Sequence, residues 1–147
     1  MGHRSEAKTW QDVLVSMPAR DIGGREPVEP AASVVVEGFL HDVHRRFEES
    51  AAIYRGNGLE ARVEPLSPAE INSELSVGLL VARPGRIGSS HTLRCQRNQG
   101  LDMCLWIDRE QLWQENCSFA LDREPEPPSV MVESSLASLE RKVQGER

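Results

Sequence analysis

In the stretch HDVHRRFEE, His41, His44 and Glu48 stand at i, i+3 and i+7. On a helix each residue turns by about 100°, so the three share one stripe. Two imidazoles and a carboxylate in that arrangement suit a transition metal or acid–base chemistry. The plainer reading is a solvated helix flank, because the sequence singles out no further strong ligand elsewhere. Thiols form a second group: Cys95 and Cys104 flank a turn in CQRNQGLDMC, with His91 before them and Cys117 after. A zinc site needs four ligands, or three and a water, and H-x3-C-x8-C-x12-C matches no common knuckle. GRIG (Gly85 to Gly88) has the G-x-x-G form that clamps RNA backbone between two helices, but here it falls between two expected strands. GSSH places Ser90 beside His91 without a nucleophile elbow. No phosphate-cradling or dinucleotide glycine motif follows a strand, so no cofactor is implied.

These residues need elements to hold them. Residues 33–56 carry Val36, Phe39, Leu40, Val43, Phe47, Ala51 and Tyr54 at helical spacing. That is one long amphipathic helix, with Ser33 as a plausible cap and Gly56-Asn57-Gly58 as its stop. Gly38 inside it either weakens the helix by about 1 kcal/mol or admits a close neighbour. Leu59, Ala61 and Val63 alternate with charged residues, as do Leu75, Val77, Leu79 and Val81 with others, and both runs read as strands. Between them, SPAE suggests a single helical turn at 68–72. DREQLWQEN reads as a short helix at 109–116 capped by Asp108, and CSFALD as a last strand.

The thiols turn on one hairpin. A three-residue loop, Asn98-Gln99-Gly100, with glycine in the left-handed position, pairs Arg97 with Leu101, Cys95 with Met103, Leu93 with Leu105 and His91 with Ile107. The strongly apolar residues then share one face. Thr92, Arg94, Gln96, Asp102, Cys104 and Trp106 share the other. A two-residue loop at Gln99-Gly100 would put Cys95 opposite Cys104 but would mix the faces, since a one-residue slip turns every side chain over. The first register is therefore expected, with Cys95 in the core and no disulfide. Trp106 then lies on the polar face, either covered by the short helix 109–116 or serving as an anchor for a partner.

At both ends stand short amphipathic segments. TWQDVLVSM sets Trp10, Val13, Leu14 and Met17 on one face, opened by a Thr9/Asp12 capping box. VMVESSLASLERKV sets Val132, Leu136, Leu139 and Val143 on another. Each is joined to the centre by a Pro-containing linker, and each either completes the core of its own domain or lays its apolar face on a partner.

Composition excludes several classes. The 147 residues suit one domain, and a net charge of −6 is poorly matched to a phosphate backbone. A single-stranded nucleic-acid site built on GRIG and nearby arginines is the remaining route to such a partner. No run approaches the ~20 apolar residues that span a bilayer, and no basic start precedes an apolar segment. Three cysteines in no framework fit a reducing compartment, hence a cytoplasmic protein.

Over residues 15–85, DIGG, the helix containing VEGFL, and LSVGLLVARPG together resemble a family of small bacterial proteins with no established activity. Arg25 stands where that family usually places Pro, and the resemblance implies no function.

The sequence thus predicts an α+β fold: one long helix on an antiparallel sheet of about four or five strands, with short amphipathic helices at both ends. Its expected divisions are a disordered 1–8, a helix and linker over 9–30, the α+β domain over 31–122, a Pro-rich linker over 123–130 and a helix over 131–147. The function it favours is a non-enzymatic protein-interaction or assembly module. The partner would be another protein, or a second copy, held through the terminal helices. Trp10, Leu14, Trp106, Val132, Leu136, Leu139 and Val143 are the candidate contacts. The runner-up is a small metal-binding or hydrolytic enzyme using His41, His44 and Glu48, or Cys104 with His91.

Overall fold

A computed structural model describes residues 9–16, 29–67, 71, 75–85, 90–109, 112–122 and 128–145. Helix α1 (Trp10–Ser16) precedes α2 (Glu29–Gly56). Five strands follow: β1 (Glu60–Glu64), β2 (Ser76–Ala82), β3 (His91–Gln99), β4 (Asp102–Arg109) and β5 (Leu112–Ala120). Helix α3 (Pro128–Gln144) closes the chain. The strands form one antiparallel meander in the order β1-β2-β3-β4-β5. The α+β architecture with one long helix on an antiparallel sheet is thus the one the patterning implies.

Both long helices lie on the same face of that sheet. Val63, Val77, Leu79, Val81, Leu93, Cys95, Met103, Leu105 and Ile107 all share one strand parity and are buried. They join the stripes of both helices in a single core that includes Val36, Phe39, Leu40, Val43, Phe47, Val132, Leu136 and Leu139. Helix α2 packs mainly on β1 and β2, and α3 on β3, β4 and β5. Burial of this continuous apolar surface is the main favourable term holding the layers together.

Local signals account for the ends of the helices. The Thr9/Asp12 capping box forms: the Asp12 amide donates to Thr9 Oγ1 at 3.1 Å, and the Thr9 amide to Asp12 Oδ2 at 3.4 Å. Helix α2 begins a turn before the expected cap, at Glu29, because Pro30 is tolerated in a first turn. Ser33 is therefore interior, and its hydroxyl accepts a bond from Arg97 Nη1 at 3.4 Å. Likewise α3 starts at Pro128, not at 131, with proline in the first helical position.

Two expectations are corrected. Residues 112–120 are strand β5, not a helix over 109–116. Ladder bonds to the open edge of β4 outweigh the local helical signal. A register irregularity between Ile107 and Asp108 also breaks the alternation that would have announced a strand. The β3–β4 hairpin is the second correction. Cys95 pairs with Leu105, Leu93 with Ile107, His91 with Arg109 and Arg97 with Met103. The turn is Gly100-Leu101, with Gly100 at φ 57° and Gln99 opposite Asp102. A bulge at Asn98 absorbs the odd residue, and Leu101 is buried, its carbonyl accepting the Leu121 amide at 3.0 Å. Every partner has moved by two positions, so each side chain keeps its expected face.

The expected disorder of 1–8, the linker centred on DIGG, the GRIG loop beyond Gly85, and residues 123–127 lie outside the described residues, as does most of the turn at 68–72.

Candidate functional site

The helical stripe of potential metal ligands is split by its surroundings. His41 is exposed, whereas His44 is buried and its Nε2 lies 3.1 Å from the Pro65 carbonyl, which can only accept, so Nε2 carries the proton. Glu48 is half-buried. Among the described residues no group of three or more His, Cys, Asp or Glu side chains is placed to hold a metal. His44 serves as a tie between α2 and the end of β1.

Cys95 and Cys104 occupy opposite faces of the sheet, and all three cysteines are free thiols. Cys95 is fully buried, and burial, helped by the nearby Cys104, pushes its pKa well up, away from thiolate chemistry. His91, buried, faces the helices, while Cys104 lies on the other side, so these two are not brought together.

The apolar stripe of α3 faces its own sheet. Val132, Leu136, Leu139 and Val143 are 4, 7, 0 and 5 % exposed. Four of the residues that the sequence offers to a partner are thus occupied by the protein's core while α3 is docked. Trp10 and Leu14 are half-buried against that core. Trp10 sits on Gly38, where an added Cβ would lie 2.5 Å from the Trp10 Cβ, so the close-neighbour reading of Gly38 is the one the structure shows. The indole meets Phe39 edge-on at 5.5 Å and donates from Nε1 to Asp42 Oδ2 at 2.8 Å.

Between α2 and α3 runs a groove of about 650 Å³, lined by Ser50, Tyr54, Leu59, Arg83, Glu140 and Val143 among others. A second hollow of about 450 Å³ lies between α1, α2 and the start of α3. The fork between Arg46 and Glu133 (2.6 and 2.9 Å) borders both. That bond raises the Arg46 pKa further, despite opposing burial. Arg46 also donates to Ser50 Oγ, and Arg83 to the Val143 carbonyl. Burial, and then Glu140, push the Tyr54 phenol up to about 12. Of these bonds, the Arg46–Glu133 fork joins α2 to α3, the Arg83 bond ties the end of β2 to α3, and the Ser50 bond stays within α2.

The other face of the sheet is different. Among the described residues no helix packs on it. It carries Arg62, Leu80, Thr92, Arg94, Gln96, Trp106 and Ser118, exposed or half-buried, with Ser76, Gly78 and Cys104 buried between them. One row across the strands reads Glu64, Gly78, Arg94, Trp106. Arg94 lies over Gly78: a Cβ there would be 3.5 Å from the Arg94 Cζ and 3.6 Å from each terminal nitrogen. Three such equal distances mean that the guanidinium lies broadside over the glycine. Trp106 leans along β4 and donates from Nε1 to Cys104 Sγ at 3.0 Å. Charge stands on β1 in Glu60, Arg62 and Glu64, where Arg62 and Glu64 pair at 2.7 Å, and on β4 in Asp102 at the hairpin end.

The sequence marks Trp106 and its face. It does not mark the Arg94 platform. The available signal is Gly78, a glycine inside an apolar strand, which denotes a close approach by another group.

No family model matches this chain, and neither the curated proteins nor the solved structures yield a match. The site is therefore read from its own chemistry.

Proposed function

We propose that this protein is a non-enzymatic protein-interaction module whose docking surface is the face of its sheet on which none of the described helices packs, anchored on Trp106. One observation carries the reading: α2 and α3 cover the same face, leaving, among the described residues, a five-stranded surface with a tryptophan and an arginine near its centre. Those two residue types dominate binding energy in protein interfaces. The arrangement around them also fits, with small or weakly polar residues beside them and charge towards the margins, on the rim strand β1 and at Asp102 by the hairpin turn. This reading moves the contact surface from the terminal helices to the sheet, because α3 and Trp10 are committed to intramolecular contacts.

The test is comparative capture. Full-length protein and a Trp106→Asp variant, matched for folding by circular dichroism, are immobilised and exposed to extract of the source cells. Retained proteins are identified, purified and rebound. The expected result is a defined protein that rebinds the parent chain and binds the variant at least ten-fold more weakly. Equal binding of every retained protein to both chains would count against the reading.

A further inference from the structure

We infer that the partner seated on this face presents a carboxylate, an aspartate or glutamate side chain of a protein, to the guanidinium of Arg94; this rests on the interaction reading above and specifies the chemistry of the occupant.

The first ground is position. Arg94 stands on β3, the middle strand of five, so a partner that covers the face covers this residue. It is half-buried already. Its guanidinium lies flat over Gly78 on β2, with Cζ 3.5 Å and each terminal nitrogen 3.6 Å from the point where a Cβ would stand. The glycine thus gives the group a low seat on the sheet, and its planar fork of N–H donors runs along the surface.

The second ground is charge. Among the described residues Arg94 has neither a hydrogen bond nor an ion pair. The acidic residues of the face do not answer it. Glu64 is in the same row, one strand beyond Gly78, and its carboxylate pairs with Arg62 at 2.7 Å. Asp102 stands at the hairpin end of β4, and Asp108 takes the position opposite Thr92 towards the other end. The guanidinium reaches away from β4, over β2. Thr92 and Gln96, on either side of it along β3, are neutral, as are Ser76 and Leu80 on either side of Gly78.

Covering a cation without a counter-charge is strongly unfavourable, because the water that solvated it is lost. The described part of the chain brings no carboxylate to Arg94, so the partner must. A neutral acceptor would take the N–H bonds and leave the charge. A carboxylate takes both, through two parallel N–H···O bonds that also fix its direction of approach. One cation at the centre calls for one anion there. A phosphate backbone would need a row of cations, and the face's other described arginine, Arg62, is already paired.

The test is a selection of displayed random peptides, about twelve residues long, on the immobilised full chain under reductant. Each selected peptide is then titrated by fluorescence anisotropy against the parent, Arg94→Gln, Gly78→Val and Trp106→Asp chains, all checked for folding by circular dichroism. The expected peptides share one Asp or Glu. Replacing it by Asn or Gln should raise Kd on the parent about ten-fold or more, and on Arg94→Gln by less than about two-fold, because the two groups act on each other. Gly78→Val keeps the charge and removes the seat, so it should weaken the acidic peptide by about three-fold or more. Inorganic phosphate should compete no better than chloride at equal ionic strength.

Peptides with no shared acidic position would overturn the inference. So would an acidic position whose replacement costs the same on the parent and on Arg94→Gln, unaltered binding to Gly78→Val, or strong competition by phosphate. If such peptides still lose affinity for Trp106→Asp, the carboxylate falls and the interaction reading stands. Peptides indifferent to both Arg94→Gln and Trp106→Asp, or a library that yields no binder, would count against both.

Discussion

Replacing Gly38 by alanine should change the sign of its effect on stability according to what stands at position 10. The added methyl carbon would lie 2.5 Å from the Trp10 Cβ, where carbon atoms pack at about 3.5–4.0 Å. A Cβ cannot swing aside as the end of a side chain can, so α1 must retreat by at least ~1 Å. At that displacement the 2.8 Å bond from Trp10 Nε1 to Asp42 is lost and the edge contact with Phe39 opens. Those interactions are worth about 1 kcal/mol and about 0.5–1.5 kcal/mol. Against them stands the gain of about 1 kcal/mol from removing glycine from a helix interior. The expected net result in the parent chain is a loss of about 1 kcal/mol. In a Trp10→Gly background the obstructing Cβ is absent, and Gly38→Ala should stabilise by about 1 kcal/mol. Urea unfolding followed by far-ultraviolet circular dichroism measures all four chains without relying on tryptophan emission. Stabilisation of equal size in both backgrounds would refute the claim that α1 is seated on position 38.

Three further outcomes follow from burial and titration. Leu139→Ala should destabilise the whole domain by about 2–5 kcal/mol, because Leu139 is fully buried in the shared core; an unchanged urea midpoint would mean that α3 is not docked. Tyr54 is the one tyrosine, so tyrosinate absorbance reports it alone, and its midpoint should lie near 12 against the ordinary 10.0. A pKa raised on folding contributes stability that is complete below about 10 and is lost as pH climbs towards 12; Glu140→Gln should lower the midpoint slightly, and Tyr54→Phe should remove this part of the alkaline destabilisation. Towards a thiol reagent, half-buried Cys117 should react first and Cys95 last. Trp106→Ala should accelerate Cys104, which the indole covers, and mass mapping of the labelled peptides would show if it does not.

How much of this was legible in the sequence depends on whether a neighbour was needed to decide it. Periodicity alone marks α2, since Val36 to Tyr54 keep one face over five turns, and the Thr9/Asp12 box is local chemistry that forms as written. Alternation marks which face each residue of β2, β3 and β4 takes. It does not fix the partners: the hairpin pairs two residues further along than expected, and that shift leaves the faces untouched. Only the second half of strand β5 is legible, in CSFALD; its first half reads as a helix because a bulge breaks its alternation and its identity depends on the open edge of β4.

The candidate site divides in the same way. Residue type and face single out Trp106, and no tertiary contact is needed to place it on the polar side of the hairpin. Val132, Leu136, Leu139 and Val143 form an apolar stripe whatever covers them, because a stripe records only that something apolar is adjacent. That the cover is β3, β4 and β5 is a tertiary fact. The platform of Arg94 over Gly78 likewise arises from two residues sixteen positions apart brought side by side by the β2–β3 register. Sequence by itself determined the helix, the strand faces and the free thiols, all of which follow from backbone period and side-chain polarity. Tertiary structure alone decided which apolar face is spent inside the protein and on which side of the sheet the described helices pack, because each is a contact between segments that local preference cannot choose.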